Sequence, residues 1–369
     1  MAFETTLPGR FFHDPAIFAR EQERIFGQLW SCVGRADALP NPGDYRTVEL
    51  GGESIIVLRG KDGQLRAFLN VCRHRGARLC LESCGNAGAV VQCPYHAWSY
   101  GLDGKLLGAP NIARDEHLDR ENLGLVPVHL DEWEGLIWLS LAESPGPVAD
   151  QLEPPLRDRF GELDKFQRYG VGALAVGASI SYDIAANWKL IVENFMECYH
   201  CAPVHPELTR LLPQFRFGTS YQGIVGQGTD FAEDVAGFTL SGGSGHEMLP
   251  GLLPSDDRLY YGFVLWPNLF VNLLPDHVIL HTLLPVGPEQ SRVVCDWLFT
   301  PEAVSRPGFD PGDTVAVFDI TNRQDWDVCE RTQLGMHSRA YANGGFYVTN
   351  EQHIAVFRDL VLERIGEPA

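Results

Sequence analysis

The chain has 369 residues, 45% of them hydrophobic and 11% aromatic, which is enough for two domains that each bury a core. Its 48 Asp and Glu outnumber 29 Lys and Arg, a formal charge of −19 that argues against nucleic acid or an anionic membrane as the main partner. The first eight residues have no basic or apolar signal pattern, and no run of about 18 apolar residues occurs, so neither a signal peptide nor a membrane span is expected. Nine cysteines (32, 72, 80, 84, 93, 198, 201, 295 and 329) are an odd count in such a chain. They are expected to be thiols or metal ligands rather than a disulfide framework, with the cytoplasm as the location.

Residues 11–32 predict an amphipathic helix, with Asp14 as N-cap and Pro15 as its first residue. From about 44 to 141 the pattern changes to short β-type runs, such as Ser54–Arg59 before Lys61-Asp62-Gly63, and Leu136–Leu141. The Pro-rich stretch 143–157 predicts a linker. Strand-like 178–185 leads into 187–200, where apolar residues at 188, 191, 192, 195, 196 and 199 keep helical spacing. Pro203 and Pro206 end that helix, which puts His205 on the turn beyond it. The glycine-rich region 216–257 predicts a mobile loop over a site, and 260–300 a β-meander. Helices are expected at about 313–338 and 350–365, the second capped by Asn350. The expected domains are an N-terminal helical segment 1–37, a β-domain 38–145 and a second domain 146–369.

Two groups of residues carry metal chemistry. Cys72 and His74, then Cys93 and His96, form Cys-x-His and Cys-x-x-His pairs. Two thiolates and two imidazoles suit zinc, or a [2Fe–2S] cluster with Cys₂ on one iron and His₂ on the other. Cys–His pairing inside both halves of a β-unit favours the cluster. Cys80 and Cys84 lie between the halves and are expected to be ordinary thiols. Arg73, Arg75 and Arg78 are expected to make structural hydrogen bonds, with docking of a redox partner as the alternative. In the second group Glu193, Glu197 and His200 recur at one-turn spacing, with His205 five residues after His200. A lone His-x4-His pair is weak evidence, since most histidines are polar or core residues.

Cys72-Arg73-His74-Arg75-Gly76-Ala77-Arg78 and Cys93-Pro94-Tyr95-His96-Ala97-Trp98 resemble the Rieske domain of Rieske non-haem iron oxygenases, with Ala97 where glycine is often found. Asn187-Trp188-Lys189 and the run from Glu193 to His205 are similar to the catalytic motif of the same family. The resemblance implies an α+β protein, a Rieske β-domain followed by a helix-grip (START-like) catalytic domain with an antiparallel sheet around a long helix. It implies a [2Fe–2S] cluster on Cys72, His74, Cys93 and His96. It also implies mononuclear Fe(II) on His200, His205 and a distant carboxylate, a facial triad that leaves positions for O2. The segment 322–331 is similar to the one supplying that carboxylate, and Asp325 matches the ligand. Asp327 is the rival, and on a helix it points about 200° away from Asp325, so only one of them can face the iron.

Glu197 matches the carboxylate that links a cluster histidine of one subunit to an iron histidine of its neighbour, a position more often Asp. The resemblance thus implies contact between His96 and the Glu197 of an adjacent chain, and a head-to-tail homotrimer. Asn194 matches an asparagine near the iron. Electrons are expected from NAD(P)H through a separate flavin-containing reductase, with or without a ferredoxin. Met196-Glu197-Cys198-Tyr199-His200-Cys201 and Gly344-Gly345-Phe346-Tyr347 look like the branch acting on quaternary ammonium compounds: glycine betaine, choline, carnitine and stachydrine. Monooxygenation or N-demethylation is the implied reaction. An aromatic-ring or aromatic-ether oxygenase of the same family is the alternative, and a Rieske electron carrier without its own chemistry is the alternative of a different class. Candidates for a cation–π pocket are Trp266, Phe270, Trp297, Trp326, Phe346 and Tyr347.

Overall fold

A computed structural model describes residues 3–112, 118–218 and 225–367. The chain forms two compact units: Gln22–Val148, and Met1–Glu21 together with Ala149–Ala369. The expected N-terminal segment 1–37 is therefore divided. Pro15–Glu21 (α1) has Ala16 N–H donating to Asp14 Oδ1 at 2.8 Å. A π-turn, Gln22–Phe26, then ends the helical run well before residue 32.

The first unit is all β. Its strands are β1 (Ser31–Arg35), β2 (Asp44–Leu50), β3 (Glu53–Arg59), β4 (Leu65–Leu69), β5 (Cys84–Asn86), β6 (Val90–Gln92), β7 (Ser99–Gly101), β8 (Leu106–Gly108), β9 (Pro127–Trp133) and β10 (Leu136–Ser140). They make an antiparallel sheet in the order β1-β10-β9-β4-β3-β2-β5 and a smaller sheet β6-β7-β8. Ile55, Ile56, Val57 and Leu58 of β3 are all buried, so this strand is covered on both faces and loses the polar alternation of a half-exposed one. The core that continues from it, with Phe68, Tyr100, Leu102 and Leu106, also takes in Cys72 and Cys93.

The second unit holds α2 (Val148–Phe160), α3 (Asp164–Gln167), β11 (Ala175–Ile184), α4 (Trp188–Met196), α5 (Cys201–Val204), α6 (Pro206–Leu211), β12 (Thr229–Asp230), β13 (Leu259–Leu265), β14 (Leu269–Leu273), β15 (Val278–Gly287), β16 (Gln290–Phe299), α7 (Pro301–Val304), α8 (Gly312–Met336) and α9 (Ile354–Ile365). Its antiparallel sheet runs β11-β16-β15-β14-β13-β12. Helix α8 packs against β11 and α4, and α4 also touches β13 and β15. This is the helix-grip arrangement, with the β-meander where the pattern put it.

Several expectations are corrected. The predicted linker is mostly helix: α2 keeps its path through Pro154 and Pro155 because Leu152, Leu156 and Phe160, spaced by one turn, are buried. Such burial offsets the roughly 3 kcal/mol that an interior proline costs. Helix α4 stops at Met196 rather than running to Tyr199, because the Glu197 backbone is extended (φ −129°, ψ 168°) and its carboxylate caps the N–H groups of Tyr199 and His200. Cys198 and Cys201 form a disulfide across a Cα separation of 4.9 Å, where thiols or metal ligands were expected. Cys80 and Cys84 are unbridged, as expected. Asn350 lies in a 3₁₀ turn, Thr349–Glu351, and His353 stands at the start of α9. Of the predicted loop region 216–257, residues 219–224 lie outside the described residues. The remainder includes β12 and a 3₁₀ turn at Pro254–Asp256.

Ala97 has φ +57°, a left-handed conformation that costs a residue with a Cβ roughly 1–2 kcal/mol. Ala97→Gly is expected to raise the stability of the first unit by about 1 kcal/mol, read as a higher midpoint in chemical denaturation. An unchanged or lower midpoint would refute strain at this position.

Candidate metal centres

In the first unit two tight turns present the cysteine–histidine pairs. Cys72 N–H donates to Ala77 O at 2.8 Å and Gly76 N–H to Cys72 O at 3.0 Å. Cys93 repeats the arrangement, its N–H donating to Trp98 O at 2.7 Å and Ala97 N–H returning to Cys93 O at 3.1 Å. Both sulfurs sit in the core and both histidines are exposed, with the His74 and His96 rings 4.7 Å apart. Trp98 stacks on His74 at 4.9 Å, and Tyr100 Oη lies 3.3 Å from Cys72 Sγ while accepting from Arg73 N–H at 3.0 Å. Arg73 is exposed, Arg75 lies 5.5 Å from the Tyr95 ring, and Arg78 pairs with Glu49 at 2.9 Å. Two free thiols below two rings fit a cluster with cysteine on its inner side and histidine on its outer side.

The second site gathers residues from α4, the α5–α6 junction and α8. Asn187 caps α4 through its side chain, which accepts from Lys189 N–H at 3.0 Å. Lys189 is buried and pairs with Glu21 at 2.6 Å, and Glu21 also accepts from Trp188 Nε1 at 2.8 Å. Burial pushes the Lys189 ammonium down from its ordinary pKa, and the Glu21 charge opposes that. Past α4, the Glu197 carboxylate holds His200 Nδ1 of the same chain in a short contact. His205 Nδ1 faces Gln324 Oε1 at 2.7 Å, and Gln324 Nε2 donates to Glu207 at 3.0 Å, which fixes which end of the amide points at the ring.

Both Nδ1 atoms therefore donate, and a neutral ring then carries a bare lone pair on Nε2. These Nε2 atoms are 3.1 Å apart and lie 3.2 Å (His200) and 2.9 Å (His205) from Asp325 Oδ1. Three lone pairs meeting at one point repel unless a cation sits among them. The site draws positive charge in the same way: desolvation lowers the His200 pKa, yet hydrogen bonds to Asp325 and Glu197 outweigh it and carry the imidazole up to about 10, so it holds a proton that a bound metal ion would replace. Two nitrogens and a carboxylate oxygen suit ferrous iron. Cys201 Sγ is also within 4.8 Å of the imidazoles, but its bond to Cys198 leaves it no thiolate. Asp325 is thus brought to the histidines, while Asp327 points away and pairs with Arg331 at 2.8 Å. Asn194 Nδ2 is 3.4 Å from His200 Nε2. Glu193 is turned elsewhere and accepts from Tyr347 Oη at 3.1 Å.

A cavity of about 70 Å³ opens over these donors. Among the described residues its aromatic wall is Phe195, Phe215, Tyr260 and Phe318, and none of the six aromatics expected from the sequence lines it. Phe270 stacks behind Phe195 at 4.5 Å, Trp266 packs on Trp188 and Phe357, and Trp297 is fully buried. Trp326 lies against Tyr182, Phe346 is exposed, and Tyr347 serves Glu193. Phe318, Thr321 and Asp325 share one face of α8 by helical spacing, a signal that could have found Phe318. Tyr260 Oη donates to Asn272 Oδ1 at 2.6 Å, and Asn272 Nδ2 faces His281 Nδ1 at 3.3 Å. His281 Nε2 meets Asn322 Oδ1 at 3.0 Å, and burial lowers its pKa to about 4, so it stays neutral. Arg159, at the end of α2, also reaches the cavity, and nothing in the local sequence announces it.

Fold and sites together define a two-unit protein with two candidate metal centres, one cysteine–histidine and one histidine–carboxylate. Comparison with known proteins gives the family. Residues 29–129 match the Rieske [2Fe-2S] domain, and residues 171–367 match the ring hydroxylating alpha subunit (catalytic domain). The chain belongs to the Rieske ring-hydroxylating oxygenase alpha subunits. The glycine betaine monooxygenase oxygenase subunit of Chromohalobacter salexigens is 34% identical over 96% of this chain and 84% of its own length. The carnitine monooxygenase oxygenase subunit of Escherichia coli is 33% identical over 97% of this chain and 93% of its own. The crystal structure of the quaternary ammonium Rieske monooxygenase CntA with L-carnitine superposes with a TM-score of 0.73 at 30% identity, covering 98% of this chain and 96% of that one. Naphthalene 1,2-dioxygenase from Rhodococcus, at 20% identity and a TM-score of 0.74 over 99% of this chain and 95% of that one, shares the fold.

Burial raises the Glu193 carboxyl to about 7, against opposing effects from Tyr347 and Lys189. The folded protein thus holds this proton more tightly than the unfolded chain does. That contribution to stability is complete below the ordinary carboxylate pKa and is lost as pH rises through about 7. Glu193→Gln should remove the loss, so its stability relative to wild type should grow between pH 5 and pH 8 by up to about 3 kcal/mol, measured by denaturant titration. A difference that stays constant with pH would refute it.

Proposed function

We propose that this chain is the terminal oxygenase component of a two-component or three-component system, and that it monooxygenates a small quaternary ammonium compound. The observation that carries the reading is the convergence of His200 Nε2, His205 Nε2 and Asp325 Oδ1 within 3.2 Å. We assign these three residues to mononuclear Fe(II), and Cys72, His74, Cys93 and His96 to a [2Fe–2S] cluster. Iron held there supplies the activation of O2, and the cluster supplies electrons one at a time.

The chain's own groups have separate duties. Glu197 and Gln324 accept from the Nδ1 atoms, fixing each ring's tautomer and aim. Asn194 lies beside His200 at the cavity, where it can bond a small polar ligand. Phe195, Phe215, Tyr260 and Phe318 put aromatic rings on the cavity wall, which supports recognition of a quaternary ammonium head that cannot donate hydrogen bonds. Likeness to the carnitine and glycine betaine enzymes supports the same class. NAD(P)H is taken to act through a separate flavin-containing reductase, directly or through a ferredoxin. Glu197, already bound to His200, is taken as half of a bridge to His96 of a neighbouring subunit in a homotrimer. CntA is described with inter-subunit electron transfer, which supports that assembly.

His200→Ala should lose the mononuclear iron by metal analysis while the visible and EPR signals of the cluster persist. Full retention of that iron would refute the ligand set. Glu197→Ala should keep both metal centres and slow single-turnover product formation by about tenfold or more. An unchanged rate would remove the bridge. A thermal-shift screen with glycine betaine, carnitine, choline, stachydrine and small aromatic acids tests the substrate class, and stabilisation by the aromatic acids alone would favour the aromatic alternative.

A further inference from the structure

Arg159 is the sole Lys or Arg among the described residues that line the cavity over His200, His205 and Asp325. It is 8% exposed, and its position is fixed from several sides. Nη2 donates to Gln227 O at 2.7 Å, the backbone carbonyl accepts from Gly226 N–H at 2.8 Å, and the guanidinium carbon lies 5.4 Å from both the Phe160 and the Tyr261 ring. A guanidinium carries five N–H donors in a planar fork that matches a carboxylate.

A cation in the wall of a cavity with an aromatic lining has a definite electrostatic consequence. A ligand that is only a cation is repelled by it, whereas one carrying both a cation and an anion can place the anion there. Two hydroxyl donors on the wall are committed to the protein. Tyr260 gives its proton to Asn272, and Thr321 gives its own to Val317 O at 2.8 Å. Tyr260, Arg159 and Asp325 line the same cavity.

We propose that Arg159 is the specificity-determining residue that anchors a substrate carboxylate, so that the enzyme selects zwitterionic betaines over choline. The anchor lies on α2, His200 and His205 flank α5, and Asp325 is on α8, all lining one cavity, so a ligand held by its carboxylate keeps its methylammonium end in the cavity that those donors share. The inference rests on the quaternary ammonium reading of the same cavity.

The test is isothermal titration of the metal-loaded enzyme with glycine betaine, L-carnitine, choline and glycine betaine methyl ester. Wild type should bind glycine betaine on the order of tenfold more tightly than its methyl ester, in which only the negative charge is lost. Arg159→Gln should weaken glycine betaine and carnitine by a similar factor and leave choline bound at least as tightly as before, with Arg159→Lys in between. Equal affinity of wild type for the acid and the ester would overturn the anchor, and so would an equal loss for all ligands in Arg159→Gln. The ester comparison needs no variant, so it decides even where Arg159→Gln fails to fold. Wild type that binds none of the four ligands overturns the quaternary ammonium reading, and the anchor with it.

Discussion

A carboxylate and two imidazole nitrogens directed at one another from three separate elements form an arrangement that the chain could not keep without a positive charge at its centre. Asp325 Oδ1 lies within 3.2 Å of both Nε2 atoms, and its side chain is only 15% exposed. Water screens such a group poorly, so its charge must be met locally. Much of the second unit serves this convergence. The rings are aimed by Glu197 and Gln324, Gln324 is oriented by Glu207, and α8 carries Asp325 past α4.

The support behind α4 is itself polar and buried. Lys189 and Glu21 pair at 2.6 Å with the Trp188 indole on the same carboxylate, so the start of the catalytic helix is fastened to the N-terminal segment. Removing either partner of such a pair leaves an uncompensated charge, typically at about 3–5 kcal/mol. This explains why Met1–Glu21 joins the later unit although the β-unit follows it in the chain. The first unit solves a different problem. It sinks two thiols into a hydrophobic core and leaves two imidazoles at the surface.

Much of this was legible in the sequence because the metal chemistry uses residue types at short, fixed spacings. Cys72 with His74, Cys93 with His96, and His200 with His205 each lie within one local segment, so the pairs survive any uncertainty about the fold. The strands of the β-unit and of the meander at 259–299 announced themselves by apolar runs between turn residues. Local composition misled where tertiary burial outweighed it. Pro154 and Pro155 suggested a linker, yet Leu152, Leu156 and Phe160 hold α2 in place. The apolar period through Tyr199 suggested a longer α4, but side-chain capping by Glu197 ended it. The Cys198–Cys201 bridge likewise depends on the turn that follows, which brings the two Cα atoms within 4.9 Å.

By itself the sequence determined the candidate cysteine–histidine and histidine–histidine pairs and the class of fold, since spacing within a segment and hydrophobic period are properties of the chain alone. Choosing between Asp325 and Asp327 needed the packing of α8, because the two point to different sides and only one side meets the histidines. The cavity wall was decided by tertiary structure too. Phe195, Phe215, Tyr260, Phe318 and Arg159 come from distant elements, and no local pattern tells an aromatic residue on a cavity wall from one in the core.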